Sequence, residues 1–143
     1  MQPLRIRVLI ADDHAPFLQT LREVLSLDPS VCIVAECSDG QSALARLLGE
    51  GLDLAILDVE MPGLDGIAVC GRLGSPPQAT PVIVLTLHKE PELQRRAREA
   101  GVRGYVLKEY AVLDVLPAVH AVLAGRLYAG RQCTGFAEIE NSH

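Results

Sequence analysis

Five side chains with chemistry of their own stand at the ends of apolar runs. Asp12 and Asp13 follow IRVLIA (6–11), and Asp58 ends LDLAILD (52–58). Thr86 ends PVIVLT (81–86), and Lys108 ends GYVLK (104–108). If these runs are strands with a common direction, the five residues collect at the carboxyl edge of one sheet, where open parallel sheets bind their ligands. Two carboxylates about 4 Å apart repel by roughly 4 kcal/mol at an effective dielectric of 20, so three need protons or a cation. Few, hard oxygen ligands with room for water suit Mg²⁺. A cation beside a lysine and a hydroxyl makes a seat for a phosphoryl group, whose transfer depends mainly on positioning and charge neutralisation.

Each residue has a plainer reading alone. Asp12-Asp13 is able to cap the helix that follows, and Asp58 is an ordinary turn residue. Thr86 favours strands anyway, and Lys108 suits a surface. Their joint placement at alternate elements is what favours a site.

The elements that must position them alternate along the chain. VCIVAE (31–36) completes a set of five strand-length runs, and the middle runs are apolar at nearly every residue, the mark of strands buried on both faces of a parallel sheet. Helical spacing lies between the runs. Phe17, Leu18, Leu21, Val24 and Leu25 share one face, with Pro16 in the first turn. Ala43, Leu44, Leu47 and Leu48 form a second stripe after a cap at Ser38-Asp39-Gly40. Leu93, Ala97 and Ala100 form a third, opposite Arg95, Arg96 and Arg98 and stopped by Gly101. Val115, Leu116, Val119, Val122 and Leu123 form the last, for which Asp114 is the expected cap and Pro117 a first-turn residue. Five such βα units imply a doubly wound α/β domain. GSPPQATP (74–81) reads as a surface loop, and the chain past Gly125 as an extension with no hydrophobic period.

At 143 residues the chain has the length of one domain, with an aliphatic core because Trp is absent and other aromatics are few. A formal charge of −5 argues against nucleic-acid binding by this chain. Asp114, Pro117 and His120 interrupt the longest apolar stretch, so no transmembrane helix or membrane partner is expected, and RVLIA is too short for a signal peptide. A soluble, cytoplasmic protein is the expectation. Cys32, Cys37, Cys70 and Cys133 have no metal-binding spacing and read as thiols in a reducing compartment.

Taken together, DD after the first strand, LDVEMPGLDG, LT and GYVLK resemble the response-regulator receiver domain of two-component signalling. ADDH, LTLH, EAGVRGYVLKE and AVLAGRLY resemble the subfamily that usually carries a LuxR-type helix-turn-helix effector. The resemblance implies a flavodoxin-like (βα)5 fold with strand order 2-1-3-4-5. It divides the chain into a receiver unit, 1–125, and an extension or linker start, 126–143. It implies that Asp58 accepts a phosphoryl group from a histidine kinase or phosphotransfer protein, with Lys108 and Thr86 assisting. Asp12, Asp13, Asp58 and the backbone carbonyl of Glu60 would hold Mg²⁺. Thr86 and Tyr105 would form the switch, and Glu60 and His88 would tune phosphoryl lifetime. Homodimerisation or partner docking, through the face bearing Arg95, Arg96 and Arg98, would carry the signal out. Glu109 stands where many receivers have proline after the lysine.

Such a protein is a signalling phosphoacceptor and not an enzyme with a separate substrate. One competing reading is a Mg²⁺-dependent phosphohydrolase of the haloacid-dehalogenase type, but Glu60 stands where those enzymes usually place a second Asp. A flavodoxin-like FMN carrier is disfavoured by acids that would repel the flavin phosphate. A third reading is the N-terminal fragment of a DNA-binding regulator, since residues 126–143 are too few for a helix-turn-helix domain.

Overall fold

The computed structural model describes residues 5–74 and 79–136; residues 75–78 of the 74–81 loop and residues 137–143 of the extension lie outside the described residues. The five apolar runs form strands: β1 (Ile6–Ala11), β2 (Val31–Cys37), β3 (Leu54–Asp58), β4 (Val82–Thr86) and β5 (Gly104–Leu107). All pair in parallel, in the expected order 2-1-3-4-5. Every residue of β3, β4 and β5 is buried, which explains why their sequences do not alternate.

Five helices cover the two faces: α1 (Ala15–Leu25), α2 (Gly40–Gly49), α3 (Gly66–Leu73), α4 (Pro91–Ala100) and α5 (Ala111–Leu123). Val8, Ile10, Ile56, Ile83, Leu85 and Val106 point to α1 and α5; Leu9, Ala11, Leu57, Val84, Tyr105 and Leu107 point to α2, α3 and α4. Burying each large aliphatic side chain contributes about 1.5–3 kcal/mol, so the central strands form a stiff floor for whatever their ends carry. None of the described helices is long and apolar enough to cross a membrane. The four cysteines are free thiols, with Cys37, Cys70 and Cys133 buried.

Local signals act where the sequence places them, with one exception. Asp39 caps α2 by accepting a hydrogen bond from Ser42 N, and Gly101 ends α4 at φ +100°. The exception is Asp114. A 3-10 turn, Lys108–Tyr110, leads straight into α5, so the helix begins at Ala111 and Asp114 lies inside it, wholly buried. Pro117 is then interior as well. Its missing N–H frees the Leu113 carbonyl, which the exposure of both residues opens to water.

Past Gly125 the extension runs back along the sheet. Tyr128–Ala129 (β6) pairs in parallel with β5, giving a sheet of order β2-β1-β3-β4-β5-β6, and Cys133 and Phe136 are fully buried. Isolated anchors of this kind produce no hydrophobic period.

One close approach governs the end of β3. Gly66, the first residue of α3, donates its N–H to the Val59 carbonyl, and a Cβ there would lie 2.3 Å from the Asp58 carbonyl oxygen. Gly66→Ala must therefore push the helix off the strand end. We expect a loss of about 1–3 kcal/mol of unfolding free energy by urea titration, as for other overpacked core positions. A variant as stable as the wild type would show that the β3–α3 junction yields freely.

Candidate functional site

The parallel register brings the strand ends together. Leu57 pairs with Ala11, Asp58 with Leu85 and Thr86 with Leu107, so Asp12, Asp58, Thr86 and Lys108 all emerge at one edge. Carboxylate oxygens of Asp12, Asp13 and Asp58 lie within 4.8 Å of one another. Asp12 and Asp58 are buried, whereas Asp13 is exposed at the rim. The aspartates are not helix caps: the α1 cap position is His14, without a side-chain bond, although His14 N donates to Asp12 Oδ1 at 2.8 Å.

Lys108 is the counter-ion of this cluster. Its Nζ donates to Asp58 Oδ2 at 3.2 Å and lies 2.8 Å from Asp12 Oδ2 in an ion pair poorly angled for a hydrogen bond. Burial works against the ammonium, but its contacts with Asp12 and Asp58 outweigh that and raise its pKa above the ordinary lysine value. The Asp58 carboxyl is pushed up to about 6, chiefly by burial and then by the negative charge of Asp12; Lys108 and the Glu60 N–H, 3.2 Å from Oδ1, only partly offset them.

The donor set fits a hard divalent cation. It consists of oxygens only, and Asp12 Oδ2 is buried without a hydrogen-bond partner, which leaves a lone pair unused. A cleft of about 520 Å³ opens above, lined by Asp13, Phe17, Asp58, Glu60, Leu87 and Lys108. Met61-Pro62-Gly63 turns the chain away behind it, with Gly63 at φ +76°.

Around the cleft the remaining residues divide into two groups. Glu60 and His88 bind each other through Oε1 and Nε2 at the exposed mouth. Thr86, fully buried, accepts from His88 N at 3.0 Å through its hydroxyl, and Tyr105, equally buried, donates its hydroxyl to the His88 carbonyl at 2.7 Å. Asp12, Asp13, Asp58, Glu60, Thr86, His88, Tyr105 and Lys108 thus lie at or next to one site.

Phe17 shows what residue-by-residue reading missed. It belongs to the apolar stripe of α1, yet its ring lies 4.7 Å from Lys108 Nζ and is half-buried at the cleft wall. An ammonium over a ring face gains cation–π attraction, which helps hold the lysine over the acids. The only signal in sequence was an aromatic in a chain with few.

Comparison with known proteins agrees with this geometry. The response regulator receiver domain family matches residues 8–120. The transcriptional regulatory protein NarL of Mycobacterium tuberculosis is 35% identical over 125 residues, covering 87% of this chain and 58% of the relative. UhpA of Salmonella typhimurium is 35% identical over 123 residues, covering 86% and 61%. The chain therefore spans little more than half the length of these relatives. Among solved structures, the signal receiver domain of M. tuberculosis NarL superposes with a TM-score of 0.81 at 33% identity, covering 87% of this chain and all of that one. A LuxR-family two-component response regulator from Aurantimonas superposes with a TM-score of 0.86 at 26% identity, covering 96% and 99%. The strand order, the acid cluster with its lysine and the match over most of the chain lead to one conclusion: this protein belongs to the response regulator receiver domain family of two-component signalling.

Proposed function

We propose that the chain is a phosphoacceptor whose nucleophile is Asp58. The observation that carries this reading is the buried Asp58 carboxylate, next to two further acids and a lysine, at the floor of a cleft open to a donor. An Asp58 oxygen attacks the phosphorus of a phosphohistidine on a kinase or phosphotransfer protein. The P–N bond breaks, its electron pair goes to the imidazole nitrogen, and an aspartyl phosphate forms. Asp12, Asp13, Asp58 and the Glu60 carbonyl would hold Mg²⁺, which when bound neutralises charge on the phosphoryl oxygens. Lys108 pairs with one phosphoryl oxygen, and Thr86 turns its hydroxyl toward another. Receiver unit 1–125 then changes its α4–β5–α5 surface to favour homodimerisation or partner docking, with 126–143 as its extension or the start of a linker. Glu60 and His88, paired at the mouth, govern water access to the acyl phosphate. The work is cytoplasmic signalling, and nucleic-acid binding is no part of this chain.

Intact-protein mass after incubation with acetyl phosphate and Mg²⁺ tests the central step. The wild type should gain one labile phosphoryl group and Asp58→Asn none; a gain in Asp58→Asn, or none in either, would refute the assignment.

The raised Asp58 pKa has a thermodynamic consequence. The folded chain binds this proton more tightly than the unfolded chain does. Asp58 therefore favours the folded state below the ordinary carboxyl range near pH 4, and that advantage is lost as pH rises through about 6. In EDTA at pH 7.5, Asp58→Asn should stabilise by about 2–3 kcal/mol. The gain should shrink toward pH 4.5, and Mg²⁺ should raise the melting temperature of the wild type only. A pH-independent difference between the two proteins would contradict the electrostatic account.

For the lifetime role, purified aspartyl phosphate should decay several-fold faster or slower in Glu60→Ala and His88→Ala than in the wild type. Equal half-lives would remove both residues from that role.

A further inference from the structure

Past α5 the chain returns to the site from behind. The Gly130 N–H donates to the Tyr105 carbonyl at 2.9 Å, and a Cβ on Gly130 would lie 2.9 Å from that oxygen and 3.0 Å from Asp114 Oδ2, so the approach requires glycine. Asp114, 0% exposed, devotes its whole carboxylate to this segment. Oδ1 accepts from the Tyr128 hydroxyl at 2.8 Å and from the Arg131 guanidinium, and Oδ2 accepts from Arg131 N at 2.8 Å. Further on, the Phe136 ring packs with its centroid 5.6 Å from that of the Tyr105 ring, and the guanidinium carbon of Arg98 in α4 lies 5.6 Å from the Phe136 centroid. Arg98 is therefore not simply a solvated charge.

The loop between β4 and α4 grips the same two partners. His88 holds the Tyr105 hydroxyl through its carbonyl and the Thr86 hydroxyl through its N–H. The next residue, Lys89, donates to Gln132 Oε1 at 2.9 Å, and Gln132 in turn donates to the Tyr110 hydroxyl. Thr86 thus reaches the returning segment by two routes, one through the Tyr105 ring and one through Lys89.

We propose that residues 128–136 are a latch that reads the switch: the segment seats on the α4–β5 face against the inward Tyr105 ring, and phosphorylation of Asp58, transmitted through Thr86 and the His88 backbone, tightens it. The latch rests on Asp58 being the phosphoacceptor and on Thr86 and Tyr105 acting together. Binding linkage then works in both directions, so a seated segment favours the phosphorylated arrangement as much as phosphorylation favours seating. The seated segment then becomes part of the α4–β5–α5 surface that phosphorylation presents to a second copy or a partner.

Hydrogen–deuterium exchange on the full chain tests this, read at the Arg131, Cys133 and Phe136 amides with β1 as internal reference. Acetyl phosphate and Mg²⁺ are added or withheld, and phosphoryl occupancy is measured by intact mass in the same samples. Phosphorylated wild type should exchange at these amides about threefold or more slowly than unphosphorylated protein. Phe136→Ala should still gain the phosphoryl group but exchange faster and lose the difference. Phosphorylated wild type with unchanged or faster exchange overturns the latch. Failure to gain a phosphoryl group overturns the Asp58 assignment instead, and Tyr105→Leu then decides the coupling. Faster exchange at Arg131 and Cys133 in that variant supports it, and unchanged exchange overturns it.

Discussion

Three carboxylates forced together against their mutual repulsion are the constraint on which the rest of the domain depends. Asp12 and Asp58 are buried, Asp13 closes the rim, and Lys108 supplies one positive charge among them. One cation against three anions leaves the cluster short of neutrality, and burial denies it the screening of bulk water. Such an arrangement persists only on a rigid support. Strands β3, β4 and β5, buried along their whole length, provide it, and Gly66 seats α3 directly on the Asp58 carbonyl. The residual negative charge is also what makes the site receptive to a divalent cation, and with it to a phosphoryl group.

From this cluster a short chain of contacts runs to the far side of the sheet. Thr86 lies one strand from Asp58, and His88 joins its hydroxyl to that of Tyr105 with a single residue's N–H and carbonyl. Backbone groups move together, so a shift of the Thr86–His88 stretch cannot spare Tyr105. Phe17 acts on the other wall, where its ring limits the positions open to the Lys108 ammonium.

How much of this was legible in the sequence depended on whether a residue acts through a local pattern or through distant partners. Strand runs such as VIVLT and the caps at Asp39 and Gly101 are local, and they form as read. The acid cluster was legible because parallel strands carry their terminal residues to one edge by rule. Asp114 was not, because a polar residue ahead of an apolar stripe looks like a cap whether it faces solvent or accepts from Tyr128 and Arg131 beyond the helix. Phe136 and Cys133 were illegible for the same reason: one ring and one thiol in a polar stretch show no period, and their burial follows from where β5 and α4 leave space.

The two edges of the sheet make a final contrast. At the β2 edge the strand is half-buried and flanked by the Arg22–Glu36 ion pair, and its last residue, Cys37, accepts from the Asp12 N–H at 3.1 Å. At the other edge β6 has only two residues, too few hydrogen bonds to be stable alone. Its place depends on the buried Asp114 carboxylate and on Phe136 against Tyr105. Removing one partner from a buried charge is costly, which holds the segment near Asp114. The aromatic contact is worth about 0.5–1.5 kcal/mol beyond the area it buries, small enough for a rotating ring to undo. The domain therefore holds in one sheet a strand buried along its whole length, the one that ends in Asp58, and its least self-sufficient element. Elements of low local stability are the ones able to respond to a small bias, and β6 with the turn that follows is such an element, placed next to the one ring among the described residues that both faces the core and bonds the Thr86 loop.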